Sequence, residues 1–164
     1  MSGPVGDNVL RGSGVIASAA GGVMTPAFKA TNSGIQSLSH NTTTKIDFQT
    51  ELFDTGGTYA SSRWTPGEAG TYFIGAYVYI SANAVTELDA SGVFIFKNGA
   101  DLADTNIDTR SGGKHYIHDI GVTTVDIADD DDYYEVYARV LDSNGSEVGA
   151  GLSATFFYGY KLIT

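Results

Sequence analysis

Four consecutive aspartates, Asp129 to Asp132, stand immediately before the stretch YYEVYARV and form the densest run of oxygen ligands in the chain. Carboxylates at that density suggest a hard-cation site or an acid/base pair. A calcium loop of the EF-hand type needs alternating oxygen ligands, a central glycine and a distal glutamate. The run ADDDDYY has neither the alternation nor the glycine. The favoured reading is a turn that feeds the following strand, with its carboxylates in solvent. Calcium held by Asp130 and Asp132 together with backbone carbonyls stays open as the alternative; no other metal and no cofactor is expected.

The remaining chemistry-bearing residues are less suggestive. His115 and His118 lie three apart in GKHYIHDIG, and odd spacing in a strand sends side chains to opposite faces. They cannot chelate from one strand, so a solvated or interfacial role is expected for them and for His40. No serine sits in a G-x-S-x-G elbow, and there is no cysteine to act as nucleophile. Neither a P-loop nor a dinucleotide fingerprint is present, since the glycine pairs fall between apolar runs. A glycosidase needs two carboxylates facing across a cleft, and nothing here selects such a pair. The expectation is a protein that is not an enzyme.

The frame that must carry these residues is small. A chain of 164 residues suits one domain with a core of its own. The absence of cysteine excludes disulfides and thiolate metal sites, and fits assembly in a reducing cytoplasm. The formal charge is −10, and the nine Lys and Arg residues form no basic stripe. That argues against nucleic acid and against an anionic membrane as partners. No run approaches the ~20 apolar residues of a membrane span. The opening MSGPVGDNVLRGSGVIASAAGGVM has no basic start, and glycines break its apolar run, so a signal peptide is not expected.

From about Pro26 the period is two. KIDFQTELF, TYFIGAYVYI, GVFIFKNG, GVTTVDIA, YYEVYARV and ATFFYGYKLI are rich in β-branched and aromatic residues, and turn formers bound them. Asn98-Gly99 and Asn144-Gly145 predict tight hairpins, with further reversals at Gly56-Gly57, Pro66-Gly67 and Gly112-Gly113. Residues 1–25 form a Gly/Ala/Ser-rich arm without the bulk to bury surface alone, whereas residues 26–164 read as one all-β domain.

Several strands carry bulk on both faces. In YYEVYARV, Tyr134, Val136, Ala138 and Val140 share one face, while Tyr133, Glu135, Tyr137 and Arg139 share the other. Phe73, Tyr77 and Tyr79 oppose Tyr72, Ile74, Val78 and Ile80, and Phe156, Phe157, Tyr158 and Tyr160 place rings on both sides of the last strand. A sandwich needs one apolar face per sheet. A second ring-bearing face implies subunit contact or ligand binding.

The spacing of particular residues resembles the C1q/TNF-like jelly-roll superfamily, in its C1q branch. Phe48 is followed after five residues by Asp54, and after four more by Tyr59; Trp64, Gly70 and Tyr72 follow. The gap from Tyr59 to Trp64 is two residues shorter than the family's, and Ile74 replaces its last Phe. PAFKAT resembles the first strand, and ATFFYGYKLI the last, with Gly159 in the glycine's place. The resemblance covers residues 26–162. It implies a jelly-roll sandwich of about ten antiparallel strands, assembled as a homotrimer with the first and last strands near the three-fold axis. Phe28, Tyr77, Tyr79, Tyr137, Phe157 and Tyr160 are the expected trimer contacts. The family's L-x-x-G-D-x-V turn would match Asp131 to its glycine and Asp132 to its aspartate.

Members of this superfamily in vertebrates follow a collagen stalk or a membrane anchor, and neither pattern is present in the arm. Bacteriophages use C1q-like trimers as head decorations and fibre tips, and the phrases GDNV and GVIASA resemble N-terminal segments of phage structural proteins. The expectation is a trimeric capsid decoration protein of a virion surface, assembled in the host cytoplasm. The major capsid protein or another virion protein would be its partner, engaged by Val5, Val9, Leu10, Arg11, Val15 and Ile16 of the arm. The alternatives are a host-receptor or glycan-binding tip, using loops near residues 81–90 or 102–114, and a secreted C1q-like trimer.

Overall fold

The computed structural model describes residues 24–83, 88–142, 146–148 and 154–162. The arm residues Val5, Val9, Leu10, Arg11, Val15 and Ile16, and the Asn144-Gly145 turn, lie outside the described residues. Within them there are only strands: β1 (Ala27–Thr31), β2 (Gln36–Leu38), β3 (Thr44–Lys45), β4 (Thr50–Asp54), β5 (Tyr59–Ala60), β6 (Arg63–Trp64), β7 (Gly70–Ala82), β8 (Leu88–Lys97), β9 (Ala100–Asp108), β10 (Ile117–Ala128), β11 (Tyr134–Asp142), β12 (Ser146–Val148) and β13 (Thr155–Lys161). Seven form one antiparallel sheet in the order β2-β12-β7-β13-β1-β4, with β10 on the other edge of β7. Six form the second, in the order β5-β6-β11-β8-β9, with β3 pairing β11. The alternating pattern predicts an all-β domain, and the two packed sheets are the jelly-roll sandwich that the resemblance implies.

Parity decides what each strand gives to the core. On β7 the residues Tyr72, Ile74, Val78 and Ile80 are fully buried, as are Tyr134, Val136, Ala138 and Val140 on β11. Both sets are the faces expected from the period of two. The resemblance motif lies at the centre. Phe28 stacks on Tyr59 with ring centroids 5.0 Å apart and lies 4.7 Å from both Trp64 and Phe157. Trp64 reaches Tyr72 and Tyr134 at 5.4 and 5.9 Å, so one indole ties the two sheets together. Gly159 is required beneath it, because a Cβ there would come within 2.5 Å of the Trp64 ring. Asp54 accepts the backbone N–H groups of Gly56 and Tyr59 and the Thr58 hydroxyl, closing the turn that delivers Tyr59. The Tyr59 hydroxyl donates to the Phe48 carbonyl.

Three segments differ from expectation. KIDFQTELF is two strands, not one, because the backbone N–H groups of Asp47 and Phe48 bond to side chains instead of a ladder. The Asp47 N–H donates to Gln36 Oε1 and the Phe48 N–H to Ser62 Oγ, which satisfies the backbone without a neighbouring strand. Among the described residues the sandwich has thirteen strands, several of them only two or three residues long. The region 102–114, read as a loop, is strand β9 as far as Asp108; only the turn after it is irregular. Residues 88–90 of the other expected loop are strand β8, and residues 84–87 lie outside the described set. The Asn98-Gly99 hairpin is as expected, with φ of 53° and 80°.

Candidate subunit interface

The outward face of the seven-stranded sheet is a belt of rings built by strand register. Tyr160 of β13 pairs with Phe73 of β7, which pairs with Val125 of β10. Phe156 pairs with Tyr77, and Tyr77 with Gly121; Tyr158 pairs with Gly75 on one side and Lys29 on the other. Residues directly opposite in a ladder share a face. The rings touch accordingly. Tyr77 and Phe156 stack at 5.6 Å with planes 12° apart, and Phe73 stacks on Tyr160 at 5.3 Å. Phe73 and Phe156 flank Tyr158 at 6.0 and 5.9 Å. Tyr158 lies across the bare backbone of Gly75, whose missing Cβ leaves room for the phenol. The Lys29 ammonium sits 4.5 Å from the centre of the Phe156 ring, a cation–π contact. Toward β10 the belt continues into Val125 and Ile127, 56% and 75% exposed.

The six residues expected at a trimer contact divide into three groups. Tyr77, Tyr79 and Tyr160 belong to the belt. Phe28 and Phe157 do not: both are fully buried inside the domain and cannot touch another subunit. Phe157 lies between Phe156 and Tyr158, so the alternation alone assigns it to the opposite face from Tyr160. Tyr137 is outward on β11, which belongs to the other sheet. It packs on Phe96 at 4.4 Å and donates its hydroxyl to Glu135. Phe73, Phe156 and Tyr158 complete the belt, and the alternate positions of the last strand reveal two of them. Val125 and Ile127 were missed, although the alternation in GVTTVDIA sets both on one face.

The outward face of the six-stranded sheet mixes rings with charge. Glu135 is 3% exposed although it points away from the core. Its carboxylate binds Lys45 Nζ at 2.7 Å and Arg63 Nε at 2.9 Å. Burial by itself would raise the Glu135 carboxyl; the bonds from Lys45, Arg63 and Tyr137 outweigh it and hold the group below its ordinary value. The Arg63 guanidinium lies over the Tyr133 ring at 3.9 Å.

The aspartate run is a turn, with one correction. Asp129, Asp130 and Asp131 are exposed, but Asp132 is 7% exposed and not in solvent. Its oxygens accept from Lys97 Nζ at 2.8 Å, Asn98 Nδ2 at 2.6 Å and the Asp129 N–H at 2.8 Å. The Lys97 bond is the main cause that pushes the Asp132 carboxyl below its usual range. Protein donors fill the carboxylate that calcium would need, so Asp130 and Asp132 do not form a pair of ligands. Asp131 does not take the left-handed backbone conformation that a glycine's place implies. Among the described residues no three His, Cys, Asp or Glu side chains are grouped to hold a metal ion.

The histidines also differ from expectation. His118 is inward on β10 and 2% exposed, with Nδ1 3.0 Å from the Ser91 hydroxyl. His115 precedes the strand, which lets the two rings approach to 5.6 Å despite their odd spacing. His118 Nε2 is buried without a hydrogen-bond partner. Burial chiefly, and His115 secondarily, lower its pKa, so its neutral form is favoured. His40 is exposed, and its Nδ1 meets the backbone of Asp142.

No family model matches this sequence, and no curated protein does. Solved structures do match. Murine APRIL superposes with a TM-score of 0.62 at 13% identity, covering 83% of this chain and 98% of that one. The globular domain of zebrafish complement 1qA superposes with a TM-score of 0.60 at 12% identity, covering 84% and 97%. Eiger TNF from S. frugiperda gives 0.59 at 11%, covering 84% and 92%. At such identities the likeness concerns architecture, and the architecture of this chain is the C1q/TNF-like jelly roll.

Proposed function

We propose that this chain is a non-enzymatic binding protein that works as a homotrimer, closed through the outward face of the seven-stranded sheet. The observation that carries this reading is the ring belt of Phe73, Tyr77, Phe156, Tyr158 and Tyr160, extended by exposed Val125 and Ile127. A continuous apolar face of this kind is costly in water and is characteristic of an interface core. Proteins with this fold commonly form homotrimers, which supports a three-fold closure over a dimer.

The setting proposed for the trimer is the surface of a bacteriophage head, where it would act as a decoration protein. Support comes from the N-terminal phrases GDNV and GVIASA and from the acidic charge of −10, which keeps decorated particles soluble and mutually repelling. Residues 1–25 would order on neighbouring capsid subunits. Three arms on one trimer would bind together, each raising the effective concentration of the others. Deleting residues 2–24 tests this role. The truncated protein is expected to remain a trimer and to lose binding to undecorated particles, read by co-sedimentation. A truncated trimer that still decorates particles fully removes the arm from the mechanism.

A further inference from the structure

The outward face of the six-stranded sheet holds a recess of about 210 Å³ that the trimer reading does not use. Its floor is the small middle strand: Ala90 and Gly92 of β8, which pair with Leu141 and Arg139 of β11 on one side and with Asp108 and Asn106 of β9 on the other. Gly92 creates the depth. A Cβ there would fall 2.2 Å from Asn106 Oδ1 and 2.9 Å from the tip of Phe94, which closes one end.

The charges around this floor are unusual for such an acidic chain. Asp and Glu number 19 against nine Lys and Arg, so most cations should find a carboxylate. Lys45, Arg63, Lys97, Arg110, Lys114 and Lys161 all do. Among the described residues Lys29 and Arg139 do not: Lys29 lies over the Phe156 ring on the opposite sheet, and Arg139 stands at this recess. Its guanidinium stands at the rim, 5.9 Å from the Phe94 ring centre, without an ion pair. Asp108 across the recess is already neutralised, since both its oxygens are engaged by Arg110. The lining therefore carries a net positive charge in a negative molecule. Asp104 takes the Asn106 amide, turning Asn106 Oδ1 over the floor as an acceptor. Leu141 and Ala90 supply apolar contact beside these polar groups.

We propose that this recess binds one carboxylate-bearing sugar unit of the hexuronate class. Arg139 pairs with the carboxylate in the planar two-bond geometry that suits a guanidinium. Asn106 Oδ1 accepts from a ring hydroxyl, and Leu141 packs on the apolar side of the ring. The volume is below the ~300 Å³ at which ligand pockets usually begin, so it suits one ring and not a chain of them. The recess faces away from the ring belt, and a trimer closed through that belt leaves three copies open to solvent. A polysaccharide with repeating uronate units would engage them together.

The test is a titration of the ¹⁵N-labelled full chain with sodium glucuronate, glucose and sodium acetate, read by amide chemical shifts. Glucuronate is expected to give saturable shifts centred on Gly92, Asn106 and Arg139. Arg139→Gln should weaken its binding by about tenfold or more, the worth of a charged hydrogen-bonded pair. Gly92→Val fills the floor and should abolish it. Glucose and acetate should each bind at least about tenfold more weakly, since each lacks half the contacts. Unsaturable shifts with glucuronate, or undiminished binding by Arg139→Gln, overturns the site. Equal binding of acetate and glucuronate overturns its assignment to a sugar.

Discussion

The two outward faces of this sandwich contain similar rings and use them differently. On the seven-stranded sheet, Phe73, Tyr77, Phe156, Tyr158 and Tyr160 touch one another and continue into exposed aliphatic residues. On the six-stranded sheet, Phe94, Phe96, Tyr133 and Tyr137 are interleaved with Arg63, Arg139 and Glu135. The second face pairs its buried carboxylate with Lys45 and Arg63, leaves Arg139 exposed at the recess, and can stay in water. The first leaves Val125 and Ile127 exposed beside its rings, the area that the proposed trimer would cover. An outward aromatic is thus not by itself a sign of an interface; the neighbour across the ladder decides. Tyr137 lies on the second face, which parity does not reveal because that neighbour cannot be known before the register is.

The contrast can be broken most strongly by placing charge on each face in turn. Tyr77→Glu together with Phe73→Glu should split the assembly into monomers, because two carboxylates would be buried in the contact away from Lys29, at a cost of at least about 3 kcal/mol. Phe94→Glu, on the other face, should leave the assembly intact. Sedimentation velocity reads both. Equal effects, or none, would mean that the ring belt is not the contact.

A smaller effect should follow from removing the cations that hold Glu135. Lys45→Ala with Arg63→Ala leaves its buried carboxylate without a cation, held by the Tyr137 hydroxyl alone, and should cost about 3 kcal/mol in urea unfolding. The pH dependence should reverse as well. In the wild type the folded pKa is lowered, so the contribution is present above the ordinary glutamate value of 4.5 and is lost as pH falls through the folded pKa. In the double variant the folded pKa is raised, and acid should relieve the loss. A variant that weakens further in acid, like its parent, would contradict the role given to Lys45 and Arg63.

The smallest effect concerns His118, behind the ring belt. Its folded pKa is lowered from 6.5, so the unfolded chain binds the proton more readily. Stability is complete above about pH 6.5 and declines as pH falls below it. His118→Leu should flatten that limb of the melting-temperature profile between about pH 7 and about pH 5. An unchanged limb would place the acid sensitivity elsewhere.

The fold was legible because alternation, turn dipeptides and the Phe48–Asp54–Tyr59–Trp64 spacing all describe one sandwich, and those residues do meet around Phe28. The faces were half legible. Parity within a strand separates Tyr160 from Phe157, but it cannot say which sheet Tyr137 joins. The break at residues 46–49 was hidden because side chains from Gln36 and Ser62, distant in sequence, take over the ladder bonds. Asp132 was misread for the same reason. Its partners Lys97 and Asn98 arrive from another hairpin, and no local pattern predicts a buried aspartate in a polar run. The recess at Arg139 needs three strands in register and has no signature along the chain.

The central claim is that the ring belt closes a three-fold assembly, and the solution mass tests it most directly. Analytical ultracentrifugation of the full chain should give about 52 kDa, three times the 17.2 kDa of one chain. A single species at 17.2 kDa would leave the belt uncovered in water and contradict the account.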